Sequence, residues 1–518
     1  MMQFLSNPKW LTTLASWAVL GMLYWVIFLV YDARRGPYQP SFLSSLKLFG
    51  HMIPTMLLFA TVKVVEHHND NILVWFIALV AFRYWRTVVN IWFWFQYQPA
   101  LPNLDLKLSH ADCTVILPTV GPEGNPAFAE TVSAILFNRP SRLIFATNSE
   151  DAAKQVEAAL PPILSALETG KSDYQREWRL KATEVSTDIA VTNAKVSNKR
   201  RQVVNAFDMV ETAITIMVDD TAVWHPQFLE GTLPAFGSDK VGFVGTSKWV
   251  KRLPRVGDPN ATWLRNLWKK YWSGFWNTMG ALYLIRHNFE IRATNAADGG
   301  VFCVSGRTSL IRTCIVADYG FQYAFLNEFV LRLGERFRGF GPIVADDDNF
   351  LTRWIINHGW DVKIQCSKEA TITTPLGKYP KFVQQCQRWS RTTFRQNPIA
   401  LFADRTIWWK WPLTVWTTYF PWMYNAALFW DVLMVYALMH TNLYQNSEHR
   451  IALLYGFAGF IYSTKLVKTA PWFWQHPGDF FLYFFPIPAY PLFAYYHSLL
   501  KIWTALTFWD LSWSGRKL

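Results

Sequence analysis

The chain has 518 residues, 51% of them hydrophobic and only 17% charged, with 28 tryptophans and a formal net charge of +13. So little charge cannot cover a soluble protein of this length, which excludes a wholly soluble enzyme and points to an integral membrane protein with one large polar insert. The basic residues are spread along the chain without a nucleic-acid module, so nucleic acid is excluded as a partner, and membrane lipid and an anionic substrate are expected instead.

Three apolar runs open the chain, Trp10 to Tyr31, Leu48 to Val65 and Ile72 to Phe95, against the roughly 20 apolar residues that a bilayer span requires. The first ends in DARRGP without a small-residue cleavage site and reads as a retained span rather than a signal peptide. Arg34 and Arg35 follow it, whereas Glu66 and Asp70 follow the second, which places the first loop in the cytosol. The insert lies on the same side if the third run crosses. Arg83 and Arg86 within that run argue for an interfacial position, so both placements stay open. Cys113, Cys303, Cys314, Cys366 and Cys386 all fall in the insert with no CxxC pair, which suits a reducing, cytosolic setting.

From about 102 to 398 the pattern becomes α/β. CTVILPT (113–119), SRLIFATN (141–148), AITIMVDD (213–220) and KVGFVGT (240–246) read as strands of a mostly parallel sheet. ALETGKSDYQREWRL (166–180) reads as a solvated connector. Beyond Trp408 come apolar runs from Trp411 to Met439, Ile451 to Val467, and Phe480 to Phe508, the last interrupted by PIPAYP (486–491). The predicted organisation is an N-terminal transmembrane region over 1–100 with two or three helices, a cytosolic domain over 101–378, amphipathic interface helices over 379–408, a C-terminal transmembrane region over 409–509, and a tail over 510–518.

Three constellations carry chemistry. Asp219 and Asp220 close an apolar strand, where α/β sheets place ligands; they either hold a divalent cation with a diphosphate or bond a turn. Asp346, Asp347 and Asp348 begin a helix, as a cap or as a cluster in which mutual repulsion raises one pKa and poises a general base. Gln385, Arg388 and Trp389 share one helix face, either an interfacial helix or a patch for a charged, ring-bearing ligand. NKRR (198–201) either begins a solvated helix or binds phosphate.

The ordered set VILPT, NKRR, VDDT, DDDNFLT, HGW and QCQRW resembles the membrane-embedded, processive family 2 glycosyltransferases. VSGRTSLIR (304–312) and the tail WSGRK (513–517) make it most similar to hyaluronan synthases and fungal capsular-type polysaccharide synthases. The resemblance implies a GT-A-type domain between transmembrane helices, a UDP-sugar donor, a growing polysaccharide acceptor, Mg²⁺ or Mn²⁺, and a plasma-membrane location. It implies Asp348 as general base with Asp347 beside it, and Asp219 and Asp220 at the metal, in an Asp-Asp-Thr arrangement where the family has Asp-x-Asp. Pro118, Thr119, Lys199, Arg200, Gln385, Arg388 and Trp389 would bind the donor. Cys303, Ser305, Gly306 and Arg307 would border the acceptor together with Trp389, while Trp513, Ser514, Gly515 and Arg516 would form a gating loop. Two rivals stand beside this reading: a family 2 enzyme that glycosylates a lipid once, and a transporter or scaffold with a nucleotide-sensing domain.

Overall fold

The structure, a computed structural model, describes residues 8–35, 42–68, 70–102, 107–257, 260–331, 339–344 and 346–511. The chain divides into two compact units, one of 1–96, 296–300 and 397–503, the other of 97–295, 301–396 and 504–518. The first unit begins with helices α1 (Pro8–Arg35), α2 (Ile53–His67) and α3 (Asn71–Gln96). Trp10–Ala33, Ser45–His67 and Asn71–Gln96 are long and apolar enough to cross a membrane. Leu11 and Ala15 of α1 pack on Val62 of α2, and Thr12 donates to Glu66, which also pairs with Lys63 at 2.8 Å.

In the second unit the described strands form one nine-stranded sheet in the order β3-β2-β1-β4-β7-β6-β9-β5, with β8 also paired to β6. In chain order the elements are β1 (Cys113–Thr119), α4 (Phe128–Phe137), β2 (Arg142–Thr147), α5 (Glu150–Glu168), α6 (Asp173–Trp178) and β3 (Asp188–Asn193). Then come α7 (Lys199–Phe207), β4 (Ile214–Val218), β5 (Val223–Trp224), β6 (Val241–Val250), α8 (Trp263–Asp298), β7 (Thr308–Arg312) and α9 (Tyr319–Leu326). Last are α10 (Asp347–Asn357), β8 (Asp361–Gln365), β9 (Thr371–Thr374) and α11 (Lys381–Pro398). Strands β3, β2, β1 and β4 run parallel, and β7 lies antiparallel between β4 and β6. The central strands β1 and β4 are buried along their whole length, as runs of Val, Ile and Leu covered on both faces must be.

The segment 166–180 corrects the sequence reading. Rather than a solvated connector, it carries α6, whose Tyr174 is fully buried and donates its hydroxyl to the carbonyl of Trp224 at 2.9 Å. Gln175, also buried, donates to the carbonyls of Leu167 and Lys181. One tyrosine and one glutamine anchor a stretch whose charged neighbours face water.

The first unit resumes with two helices, Pro412–Tyr424 and α12 (Ala427–Met439), bent 88° to each other, so the run from Trp411 to Met439 is not one straight helix. Asn425 and Ala426 leave helical geometry there. The carbonyls freed by the break are taken up by Lys501, bonded to those of Trp422 at 2.5 Å and Asn425 at 3.0 Å, and by Trp430, bonded to that of Tyr424 at 3.2 Å. Helices α13 (Arg450–Thr464) and α14 (Ala489–Ala505) follow. Arg83 is paired within this unit: it donates to Asn425 Oδ1 at 2.8 Å and lies 3.8 Å from Asp431, which also binds Lys465 at 2.5 Å. The arginine is therefore paired inside the unit rather than presented to an apolar exterior.

Candidate active site

Chain order and sheet order part company at β1: β2 and β3 build outward on one side and β4 on the other, which makes the carboxyl ends of β1 and β4 the switch point where α/β sheets bind ligands. Pro118, which has no amide hydrogen, comes after the last β1–β4 partners, Ile116 and Met217, whereas pairing with β2 continues to Thr119. The two strands part at that position, where α/β sheets form their ligand crevice. Thr119 Oγ1 closes its floor by donating to Asp220 Oδ2 at 2.9 Å, and Asn125 donates to the Asp220 carbonyl at 2.8 Å.

Lys199 is the hub. Its ammonium lies 2.8 Å from Asp219 Oδ1 and 2.9 Å from Asp347 Oδ2, joining the ends of β4, α7 and α10. Burial works against this charge, but Asp219 and Asp347 outweigh it and hold the lysine pKa well above its ordinary value. Burial alone would likewise raise Asp347, yet Lys199, Arg200 and Arg388 hold it below the usual carboxylate range. Asp348 goes the other way, pushed up by burial and then by the charges of Asp347 and Asp346. Two neighbouring carboxylates thus have their proton affinities driven apart, which is how acid and base roles separate. Gly306 borders the pair: an added Cβ would stand 3.5 Å from Asp348 Cβ, 3.6 Å from Asp347 Oδ2 and 3.7 Å from Lys199 Nζ. Cys303 is buried and shares a hydrogen bond with Asp348, and burial first, then that carboxylate, pushes its thiol well above the ordinary value. Ser305 Oγ accepts from the Arg307 amide at 3.4 Å.

Helix α11 supplies the other wall. The Arg307 guanidinium sits over the Trp389 ring, 5.4 Å from its centroid, and Tyr283 of α8 lies 5.3 Å from the same ring. The charge of Arg388 is felt at Asp347, Asp348 and Arg307. Gln385 stands half-buried one turn earlier on the helix. Arg200 is placed differently from its expected role at the donor. It is 1% exposed, with Nη2 on Glu328 at 2.7 Å, Nη1 on the Phe325 carbonyl at 2.7 Å, and its guanidinium 4.8 Å from the Phe325 ring centroid. Consecutive helix positions point about 100° apart, so Lys199 and Arg200 meet different surroundings although they are neighbours in sequence. Trp513, Ser514, Gly515 and Arg516 lie outside the described residues.

A profile of the family described as glycosyltransferase like family 2 matches residues 180–392, a stretch that contains the site from Lys199 to Trp389. A type 2 glycosyltransferase of Pyricularia oryzae is 30% identical over 446 residues, which are 85% of this chain and 82% of the relative. The chain belongs to the family 2 glycosyltransferases. A second type 2 glycosyltransferase, from Zymoseptoria tritici, is 31% identical over 454 residues, 86% of this chain and 84% of that relative. Among solved structures, a mannosyltransferase from Pyrobaculum calidifontis in complex with GDP-Man and Mn²⁺ aligns with a TM-score of 0.41 at 12% identity, covering 85% of this chain and 99% of its own, a score too low to establish a shared fold.

This glycosyltransferase also carries groups near the site that motif reading missed. Lys248, 2% exposed on β6, has its Nζ 3.0 Å from His287 Nδ1, while Asn288 bonds both its amide, at 3.1 Å, and its carbonyl, at 2.7 Å. Burial, then Arg307, pulls its pKa down to about 8, while Cys303 and Asp348 partly offset this. The signal was a lone lysine inside the apolar strand VGFVGTSKWV. Arg395 is 2% exposed and clasps Asp346 at 2.8 and 3.0 Å. Its only trace in sequence is a basic residue spaced seven positions from Arg388, two helical turns along.

Proposed function

We propose that this chain is an inverting, membrane-embedded glycosyltransferase of GT-A type that takes a UDP-sugar and extends a polysaccharide processively while passing it across the membrane. Membership of the family supports transfer from a nucleotide sugar. The observation that carries the finer reading is the convergence of four separated sequence stretches on one crevice: Asp219 and Asp347 bound by the single ammonium of Lys199, with Asp348 pushed up beside them and Arg388 within electrostatic reach.

In this reading Asp348 accepts the proton of the acceptor hydroxyl as that oxygen attacks the anomeric carbon, and Lys199 and Arg388 stabilise charge gathering on the leaving diphosphate. Trp389, backed by Arg307 and Tyr283, offers a flat face to the acceptor sugar. Asp219 and Asp220 are the residues that would hold Mg²⁺ or Mn²⁺. Among the described residues no group of three or more His, Cys, Asp or Glu side chains is gathered for a metal, and a pair of carboxylates suits an ion whose remaining ligands are diphosphate oxygens. When bound, such an ion would neutralise the diphosphate charge.

The test is a panel of UDP-sugars, singly and in pairs, supplied to the purified full chain in lipid, with and without chelator. UDP release accompanied by glycosidase-sensitive polymer supports the proposal. A singly glycosylated lipid as the sole product replaces processive synthesis with the single-addition reading, and no UDP release from any sugar defeats the donor assignment.

A further inference from the structure

Strand β6 carries a charge into the interior without an ion pair. Lys248 is 2% exposed, and among the described residues no carboxylate lies within ion-pair reach of its ammonium, whose hydrogen bond goes to His287 Nδ1 at 3.0 Å. An ammonium can only donate, so the His287 ring accepts through Nδ1 and is neutral. Asn288, the next residue on α8, clasps the Lys248 backbone through both its amide and its carbonyl, at 3.1 and 2.7 Å. The lysine is thus held at both ends by α8. A buried cation answered only by a neutral ring costs stability, and groups that cost stability are retained where function needs them.

What this cation can act on follows from its place in the fold. The ladder between β6 and β7 ends at Gly245 and Ser309; carried on at the same register, Lys248 comes level with Gly306, which borders Asp347, Asp348 and Lys199. A Cβ added at Gly245 would stand 2.8 Å from Val304 Cγ1, so β6 packs on the stretch that carries Cys303, and Cys303 shares a hydrogen bond with Asp348. The groups within electrostatic reach of the ammonium are His287 on α8, Arg307 and Cys303 before β7, Cys366 after β8, and Asp348 on α10. Asp348 in turn faces the acids Asp347 and Asp346 and the cations Lys199, Arg388 and Arg307. Burial and the two acids drive it toward the neutral form, so its charge depends on every cation in reach.

We propose that Lys248 is a positioning residue of the active site: an internal ammonium, oriented by His287 and Asn288, whose charge holds Asp348 as the carboxylate that the proposed reaction needs. The proposal rests on the reading of Asp348 as general base, and two readouts keep them apart. Lys248 titrates at about 8, so it is a cation over the acid range, and removing that charge raises the proton affinity of Asp348. In the full-length protein in lipid, the titration of Asp348 is followed through the acid limb of UDP release, with UDP-glucose, UDP-N-acetylglucosamine and UDP-glucuronic acid as donors. It is followed again, without any sugar, through the pH dependence of the change in melting temperature that Asp348→Asn causes in each background. Lys248→Met should move both titrations upward by about half a pH unit or more, and Lys248→Gln should do the same with a polar side chain. Lys248→Arg, which keeps the charge, should leave both close to wild type. An Asp348 titration that stays in place in the melting series overturns the proposal, as does a uniform loss of turnover with the acid limb unmoved, the mark of a lysine that only packs. An acid limb that survives Asp348→Asn overturns the general-base reading, while a shifted melting titration still upholds the coupling of Lys248 to Asp348. Absence of UDP release from every donor defeats the donor assignment and leaves the melting series to decide.

Discussion

Lys199 stands in the first turn of α7, where the helix dipole disfavours a cation; Asp219 and Asp347 make the position tenable and at the same time hold the lysine at the proposed diphosphate site. The same charges set Asp348 apart from Asp347. Asp348→Asn preserves shape and removes the proposed base, so turnover should fall about 100-fold or more while binding of the proposed UDP-sugar persists. Since the Asp348 pKa is raised, wild-type turnover should decline as pH falls through that raised value, and the variant's residual rate should lack this limb; an acid limb common to both would reassign it. Lys248 invites a stability measurement. Its folded value of about 8 lies below the ordinary 10.5, so between those values the unfolded chain binds more protons and stability rises with pH. Lys248→Met should melt above wild type near pH ~7, with the gap closing as pH approaches 10.5; an unchanged gap would show that the lysine is not carrying the cost of a buried charge.

Helix α11 acts at both ends of the site. Arg388 and Trp389 face the crevice, and two turns later Arg395 binds Asp346, the residue that opens α10 in the left-handed region at φ 64°. A non-glycine residue holds that conformation only when its surroundings insist, and Arg395 together with Thr392 provides the insistence. Arg395→Ala leaves a carboxylate that is 1% exposed without its cation, a change that typically costs about 3–5 kcal/mol. Thermal unfolding should reveal that loss, and Arg395→Lys should recover only part of it; a melt equal to wild type would contradict the clasp. Arg395 also donates to the carbonyls of Phe508 and Asp510, and Arg391 pairs with Asp510 at 2.6 Å. The stretch ending at residue 511 is therefore bound to the helix that carries Trp389, which gives the proposed gating tail a fixed root. Deleting 512–518 should leave this root and donor affinity intact yet cut turnover severely, with Trp513→Ala causing most of the loss. Full-rate synthesis by the truncated chain would remove the tail from the reaction.

At the scale of the whole molecule, the two units follow different rules. One pairs buried charges internally, as Asp431 does with Lys465 and Arg83; the other folds around a sheet with a core of Val115, Leu117, Ile216 and Val218. The proposal that the second faces the cytosol has a direct check in the NAT sequon at Asn260. A cytosolic domain never meets the glycosylation machinery, so Asn260 should carry no glycan. An endoglycosidase-sensitive mass shift lost in Asn260→Gln would invert the topology.

The sequence by itself determined the elements that local chemistry dictates: three apolar stretches of spanning length, the strands at 113–119 and 213–220, and the acids at their ends. Side-chain character and period carry that information without help from distant residues. Antiparallel β7 between β4 and β6, the two-residue β5, and the bend at Asn425 were not legible, because each depends on partners far along the chain or on carbonyls capped by Lys501. The site divides in the same way. Motifs named Asp219, Asp347, Asp348 and Trp389, but only the tertiary structure turned Lys199 into the crevice and Arg200 onto Glu328, and brought Lys248, His287 and Arg395 to the same region, because which face of a helix or strand is buried is decided by what packs against it.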